Sequence, residues 1–210
     1  MLGCTVGTAF AHVPALEPSE FTPGVAVPIG GPEVSRAVYG YLAPDQGSDM
    51  YSFTVSENVT RTIGIIVPAY DEHAEFRPTL SVVAPGEEPV TIPDPEANPR
   101  ETEWEPFSLA AFWKGGMAEV SLEPGRTYTL KVSPGAEAQT GRYVLVFGGP
   151  EKFEGEDISA TARELPVIWF GAYGGAPFHW NWLALIPLGV LALLLVAIVG
   201  GVVALVRRRG

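Results

Sequence analysis

The densest group of metal-ligating side chains in the sequence is Asp71-Glu72-His73-Ala74-Glu75, set between Tyr70 and Pro78. Carboxylates in a loop can hold Ca²⁺, and an imidazole among them suits a transition metal. Asp71, Glu72, His73 and Glu75 are therefore the first candidate ligands. Dedicated metal loops keep a stricter spacing than this one, and the plainer reading is a solvated loop. His12 is a second candidate. Ala9-Phe10-Ala11 has the A-x-A form of a signal cleavage site, and cleavage after Ala11 would place a terminal amine beside the His12 imidazole, a good Cu(II) pair. The turn Asp45-Gln46-Gly47-Ser48-Asp49 adds two carboxylates, although Asp and Gly are also ordinary turn residues.

Nucleophilic catalysis finds no such set. Three histidines (His12, His73, His179) and one cysteine (Cys4) are present, and none pairs with a Ser or Asp in a pattern that marks a nucleophile and its base. The expectation is a non-catalytic protein. Trp104, Phe107 and Trp113 form a candidate aromatic platform for a glycan or protein partner, with core packing as the alternative. Asn58-Val59-Thr60 is a glycosylation sequon.

The elements that position these residues read as β-strands. Of 210 residues, 24 are Gly and 20 are Pro, well above the usual share. Short runs of Val, Ile, Tyr and Phe lie between them, which favours an all-β domain. Strands are expected at 34–42, 49–56, 60–67, 79–83, 107–113, 118–122, 127–133 and 142–147. Alternation is clean in Tyr51/Phe53/Val55, Tyr128/Leu130/Val132 and Tyr143/Leu145/Phe147. About eight strands with regular turns pack most naturally as an antiparallel β-sandwich. The segment 87–103, with prolines at 89, 93, 95 and 99, cannot be a central strand or a helix interior. A short helix is expected over 156–164, stopping before Pro166.

Charge narrows the partners. All 24 acidic residues and all but three of the 13 basic ones precede Trp182, so that part carries a formal charge of −14. It repels nucleic acid and anionic headgroups and is compatible with divalent cations, basic partners or simple solubility. With Cys4 alone, no intrachain disulfide forms and the core must hold the domain.

From Trp182 to Val206 no charge occurs, and Arg207-Arg208-Arg209 follow. About 20 apolar residues cross a bilayer, and a basic cluster marks the cytoplasmic side. The expectation is a single-pass type I membrane protein with its sandwich outside the cytoplasm. Trp169, Tyr173, Trp180 and Trp182 are assigned to the outer membrane–water interface, with Arg207, Arg208 and Arg209 inside. The pairs Ala197/Gly201 and Gly200/Ala204 permit close helix–helix approach, and Pro187 is a candidate kink. Residues 1–11 are read as a signal-peptide remnant without a basic n-region, so the natural start is expected upstream. Residues 12–33 form an extended lead-in, 34–149 the sandwich, 150–181 a juxtamembrane segment, 182–206 the membrane helix and 207–210 a basic tail.

Gly40-Tyr41-Leu42 followed by Asp49-Met50-Tyr51-Ser52-Phe53-Thr54-Val55 resembles the opening of the bacterial pre-peptidase C-terminal-like domains. Leu122-Glu123-Pro124-Gly125-Arg126-Thr127-Tyr128-Thr129-Leu130-Lys131-Val132 and Gly141-Arg142-Tyr143-Val144-Leu145 resemble their close. The likeness spans roughly residues 34–148. The layout, with Ala11-His12-Val13-Pro14, Glu105-Pro106-Phe107-Ser108 and one C-terminal membrane helix, also resembles prokaryotic surface proteins. Both resemblances imply a jelly-roll-like sandwich and supply no catalytic residue. The first family is an appended module associated with secreted proteases and with binding or targeting, and no protease is fused here; the leading reading is a cell-surface binding or interaction module, anchored alone or beside a larger membrane complex. The alternative is an exported Cu- or Ca-binding protein.

Overall fold

The computed structural model describes residues 12–18, 24–44, 47–93, 100–135, 139–150 and 155–209. The expected signal remnant, Cys4, Asp45, Pro95 and Pro99 lie outside the described residues.

Two sheets face each other. The first has the order β1 (Val13–Leu16), β3 (Arg36–Leu42), β11 (Gly141–Phe147), β5 (Val59–Pro68), β9 (Ala110–Leu122), β8 (Thr102–Glu105). The second runs β2 (Val27–Pro28), β4 (Asp49–Thr54), β10 (Thr127–Ser133), β6 (Thr79–Val83), β7 (Val90–Ile92). The expected sandwich is present, with one refinement. β1 runs parallel to β3 and β2 parallel to β4, so both sheets are mixed. The lead-in supplies both strands. Each carries a proline, Pro14 or Pro28, and each is an edge strand, where a missing N–H costs no ladder bond.

The alternating residues of β4, β10 and β11 meet between the sheets, where Tyr51, Leu130, Tyr143 and Leu145 are fully buried. β11 is buried along its whole length. Its second face, with Val144, joins Ala37, Tyr39, Phe112, Ile168 and Tyr173 in a smaller cluster outside the first sheet. That face is covered by α1 (Gly155–Trp169) and the loop after it. A strand buried on both faces reads as a continuous apolar run, as Tyr143–Phe147 does.

Helix α1 passes through Pro166 instead of stopping before it. A proline inside a helix costs about 3 kcal/mol, and here Ile168 and Val167 reach the outer cluster only if the helix continues. The two strands expected at 107–113 and 118–122 are one strand, β9, whose register against β5 shifts between Gly64 and Ile66. Gly115-Gly116 thus form a bulge region rather than a break. Among its described residues the proline-rich segment yields β7 and the start of β8, both at sheet edges.

Helix α2 (Leu185–Arg209) follows a 3-10 turn over Trp182–Ala184. The span Trp182–Arg208 is long and apolar enough to cross a membrane, and its apolar window is not buried against the rest of the protein. Pro187 falls in the first turn of α2, where helix geometry requires no N–H from it.

Candidate functional site

The loop that the sequence marks for metal binding is built differently. Asp71–His73 form a 3-10 turn, and its only buried side chain is His73. His73 Nε2 accepts the Arg142 backbone N–H at 3.2 Å, so the ring nitrogen best placed for a metal is occupied. Burial, and then the Arg142 charge, hold the imidazole below its usual pKa, which keeps it neutral. Glu72 meets the Arg142 guanidinium at 3.5 Å and the His179 ring at 3.2 Å, while Asp71 and Glu75 are exposed. Among the described residues no group of three or more His, Cys, Asp or Glu is placed to hold a metal ion. His12 hydrogen-bonds through Nδ1 to Ser35 Oγ.

Arg142 explains the arrangement. Its side chain is almost fully enclosed. Its Nε donates to Gly171 O at 2.9 Å and its Nη2 to Pro177 O. The Tyr70 ring lies under the guanidinium at 5.8 Å, and His179 stacks on Tyr70 with ring centroids 3.6 Å apart. A planar fork that satisfies two carbonyls at once is work for arginine rather than lysine. Trp169 Nε1 adds a bond to Phe107 O at 2.9 Å, and Asn181 Nδ2 one to Leu109 O at 3.1 Å. Both acceptors belong to the turn 106–109, which the Glu105 carboxylate closes by accepting Phe107 and Ser108 N–H. Asn181 Oδ1 also caps the 3-10 turn at Leu183 N. The stretch from the end of α1 to α2 is therefore bonded to the sandwich through Trp169, Gly171, Pro177, His179 and Asn181.

This corrects part of the interfacial assignment. Tyr173 is 3% exposed and packs edge-on against Tyr39, so it faces the protein core. Trp169 is half-buried and bonded to the sandwich, and His179 is a partner of Glu72. The aromatics that remain exposed are Phe178, Trp180 and Trp182, the last two at 64%, beside the start of α2. Arg207 and Arg208 are exposed at its far end.

A buried polar chain escaped the sequence reading altogether. Glu17, just after β1, lies 2.8 Å from Tyr51 Oη; Tyr51 Oη lies 2.6 Å from Tyr143 Oη; and Tyr143 Oη lies 2.7 Å from Asp49 Oδ2. The other Glu17 oxygen accepts Tyr41 N–H at 2.9 Å. Burial, reinforced by the Asp49 charge, pushes Glu17 up to about 7. Burial raises Asp49 to about 6, against the pull of its bond from Tyr143. Asp49, one of the turn carboxylates considered for calcium, is thus an interior group. Two glycines make room for this chain. A Cβ on Gly40 would lie 2.5 Å from Tyr143 Oη, and one on Gly174, at φ 59°, would lie 2.5 Å from Glu17 Oε2.

A cleft of about 730 Å³ opens between the sheets on the far side of β5, between β7 and the end of β9. β7 is three residues long and β9 thirteen, so the floor formed by Val59, Ala118 and Val120 is only partly covered. Asn58, the exposed sequon residue, stands at its mouth. The aromatic platform does not form as a unit. Trp104 is exposed on β8, Trp113 lies beneath the Arg100 guanidinium at 4.9 Å, and Phe107 sits in the turn beyond them.

The chain is similar in fold to solved β-sandwich domains. One is the pre-peptidase C-terminal domain of a collagenase from Bacillus anthracis, at 19% identity and TM-score 0.41, covering 61% of this chain and 99% of that one. Two others are PliG, a periplasmic inhibitor of g-type lysozyme. The Salmonella Typhimurium protein aligns at 13% identity and TM-score 0.35, over 60% of this chain and 98% of that one. The Aeromonas hydrophila protein aligns at 14% identity and TM-score 0.35, over 59% and 94%. No family model matches the chain, and no curated protein matches it in sequence.

Proposed function

We propose that the chain is a membrane-anchored, non-catalytic binding module, held outside the cytoplasm and serving a larger membrane or surface complex as an accessory subunit. The observation that carries this reading is the bonding of the juxtamembrane stretch to the sandwich through Arg142, Trp169 and Asn181. Such bonds hold the stretch that leads into α2 against the sandwich, and the exposed Phe178, Trp180 and Trp182 suit the headgroup zone beside that helix. A domain held close to its membrane helix is useful for meeting a partner in the same membrane.

The non-catalytic part rests on the state of the carboxylates. Glu17 and Asp49 have the raised pKa values that often mark catalysis, yet both are closed off from solvent behind Tyr51 and Tyr143. Their carboxyl groups are engaged in the buried chain with Tyr51 and Tyr143. The open cleft, in contrast, has room for a ligand. Crosslinking in native membranes, with the photoreactive group on the sandwich and α2 intact, tests the reading. A discrete protein or glycan adduct is expected, and a sandwich that forms none in its own membrane contradicts it.

A further inference from the structure

We propose that the cleft between β7 and β9 takes an extended, basic peptide segment as an added strand; this rests on the reading of the chain as a binding module. The cleft wall includes every residue from Ala118 to Glu123 and from Val90 to Pro93. Consecutive residues of each strand line it, so it runs along strand edges as well as between the sheets. β8 pairs with β9 only from Ala110 to Trp113. Beyond Lys114 the outer edge of β9 meets no strand among the described residues, and β7 ends its sheet. Unpaired backbone N–H and C=O groups on an edge are met by another strand.

Apolar and charged side chains set what that strand should carry. Val59, Val82, Ile92 and Val120 offer an apolar floor. Glu87, Glu88, Glu119 and Glu123 line the cleft against one cation, Arg126. Arg126 is already bound by Glu87 at 2.6 Å and by Glu123 at 3.0 Å. Glu88 and Glu119 have no ion pair among the described residues, which leaves uncompensated negative charge for lysine or arginine to meet. A second copy of this chain would bring the same acidic rim and be repelled. A glycan would find no stacking surface, since the one aromatic ring in the lining is the buried Tyr128. At the other end the cleft is narrow, where a Cβ on Gly116 would come within 2.5 Å of Pro93 O. The open length matches a strand of about six residues.

The test uses the full chain in lipid nanodiscs and a synthetic peptide of alternating valine and threonine with a lysine at each end. Amide exchange and NMR shifts are followed at Val90–Ile92 and Ala118–Leu122. Protection confined to these residues is expected, weakening about tenfold from low to physiological salt as the charges are screened. The same peptide ended in glutamate is expected to bind at least tenfold more weakly, and a chain carrying Glu88→Lys and Glu119→Lys to reverse that preference. Alternate N-methylation of the peptide is expected to abolish protection. No protection at millimolar peptide, or equal binding of both peptides, overturns the inference. Val120→Arg fills the cleft and separates the two readings: if that variant still forms the native membrane crosslink and the peptide does not bind, the binding module stands and its cleft is not the site.

Discussion

The phenolic oxygens of Tyr51 and Tyr143 lie 2.6 Å apart in the core, a separation that requires a proton between them. Each also contacts a carboxylate, Glu17 at 2.8 Å and Asp49 at 2.7 Å. Three oxygen–oxygen contacts need three protons, and the two hydroxyls supply two. The third sits on a carboxyl. Glu17, raised further than Asp49, is the carrier, on Oε1 because Oε2 accepts Tyr41 N–H: when protonated it donates to Tyr51, Tyr51 to Tyr143 and Tyr143 to Asp49, whereas ionised Glu17 accepts from Tyr51. The pair then holds one proton and one negative charge, consistent with the raised pKa values of both groups.

The pH dependence follows from this proton. In the unfolded chain a glutamate titrates near 4.3, whereas folded Glu17 titrates at about 7. A carboxyl whose folded pKa is raised contributes its full stability below the unfolded value and loses it as pH rises through the folded value. Stability is therefore expected to fall between about pH 4 and pH 7 through this group, by on the order of 3 kcal/mol. In Glu17→Gln the amide oxygen accepts from Tyr41 and the amide N–H donates to Tyr51 without any titrating proton. That variant is expected to flatten the slope and to match or exceed the wild type at pH 8. Thermal melts across the pH range give the answer; an unchanged slope contradicts the proton count.

Arg142 is the largest single tie between the sandwich and the segment leading to α2. Arg142→Met keeps the bulk but leaves the Gly171 and Pro177 carbonyls and Glu72 without their donor. Of these the Gly171 carbonyl is buried, and leaving it unmet costs about 1–3 kcal/mol. Faster amide exchange across residues 170–180 is expected, with a smaller change in β4 and β10. Equal acceleration of the whole sandwich would mean that Arg142 supports the fold at large and not the docking.

Metal addition separates this reading from the metal-handling one. With His73 Nε2 held by Arg142 and Glu72 engaged by Arg142 and His179, neither Ca²⁺ nor Cu²⁺ is expected to raise the melting temperature by more than about a degree at tenfold excess, since a ligand stabilises only through affinity for the folded state. Calorimetry on the full chain with each ion is the measurement, and a saturable heat at one equivalent contradicts the expectation.

The strands were legible because alternation reports burial on one face, as in Tyr51/Phe53 and Tyr128/Leu130. The membrane-length helix was legible from length and charge alone. β1, β2, β7 and β8 were not, since short edge strands containing or flanked by proline carry no period of their own. The polar chain was hidden for another reason. Glu17 and Asp49 lie 32 positions apart in the sequence, and only the pairing of β1 with β3 and of β3 with β11, with β4 packed across the core, brings them to the same tyrosines. The aromatic stretch 169–182 showed the opposite limit. Its composition suggests a membrane interface throughout, but the structure divides it, with Tyr173 inside and Trp180 and Trp182 outside.

The central claim is that the sandwich stands outside the cytoplasm on α2, and its most direct test is the sidedness of labelling. Single cysteines at Asn58 and Arg208, both exposed, are placed in a Cys4→Ser background and treated in intact cells with a membrane-impermeant maleimide. Labelling at position 58 from outside, and at position 208 only after the membrane is opened, is the expected result. Labelling at 208 but not at 58 in intact cells contradicts the account.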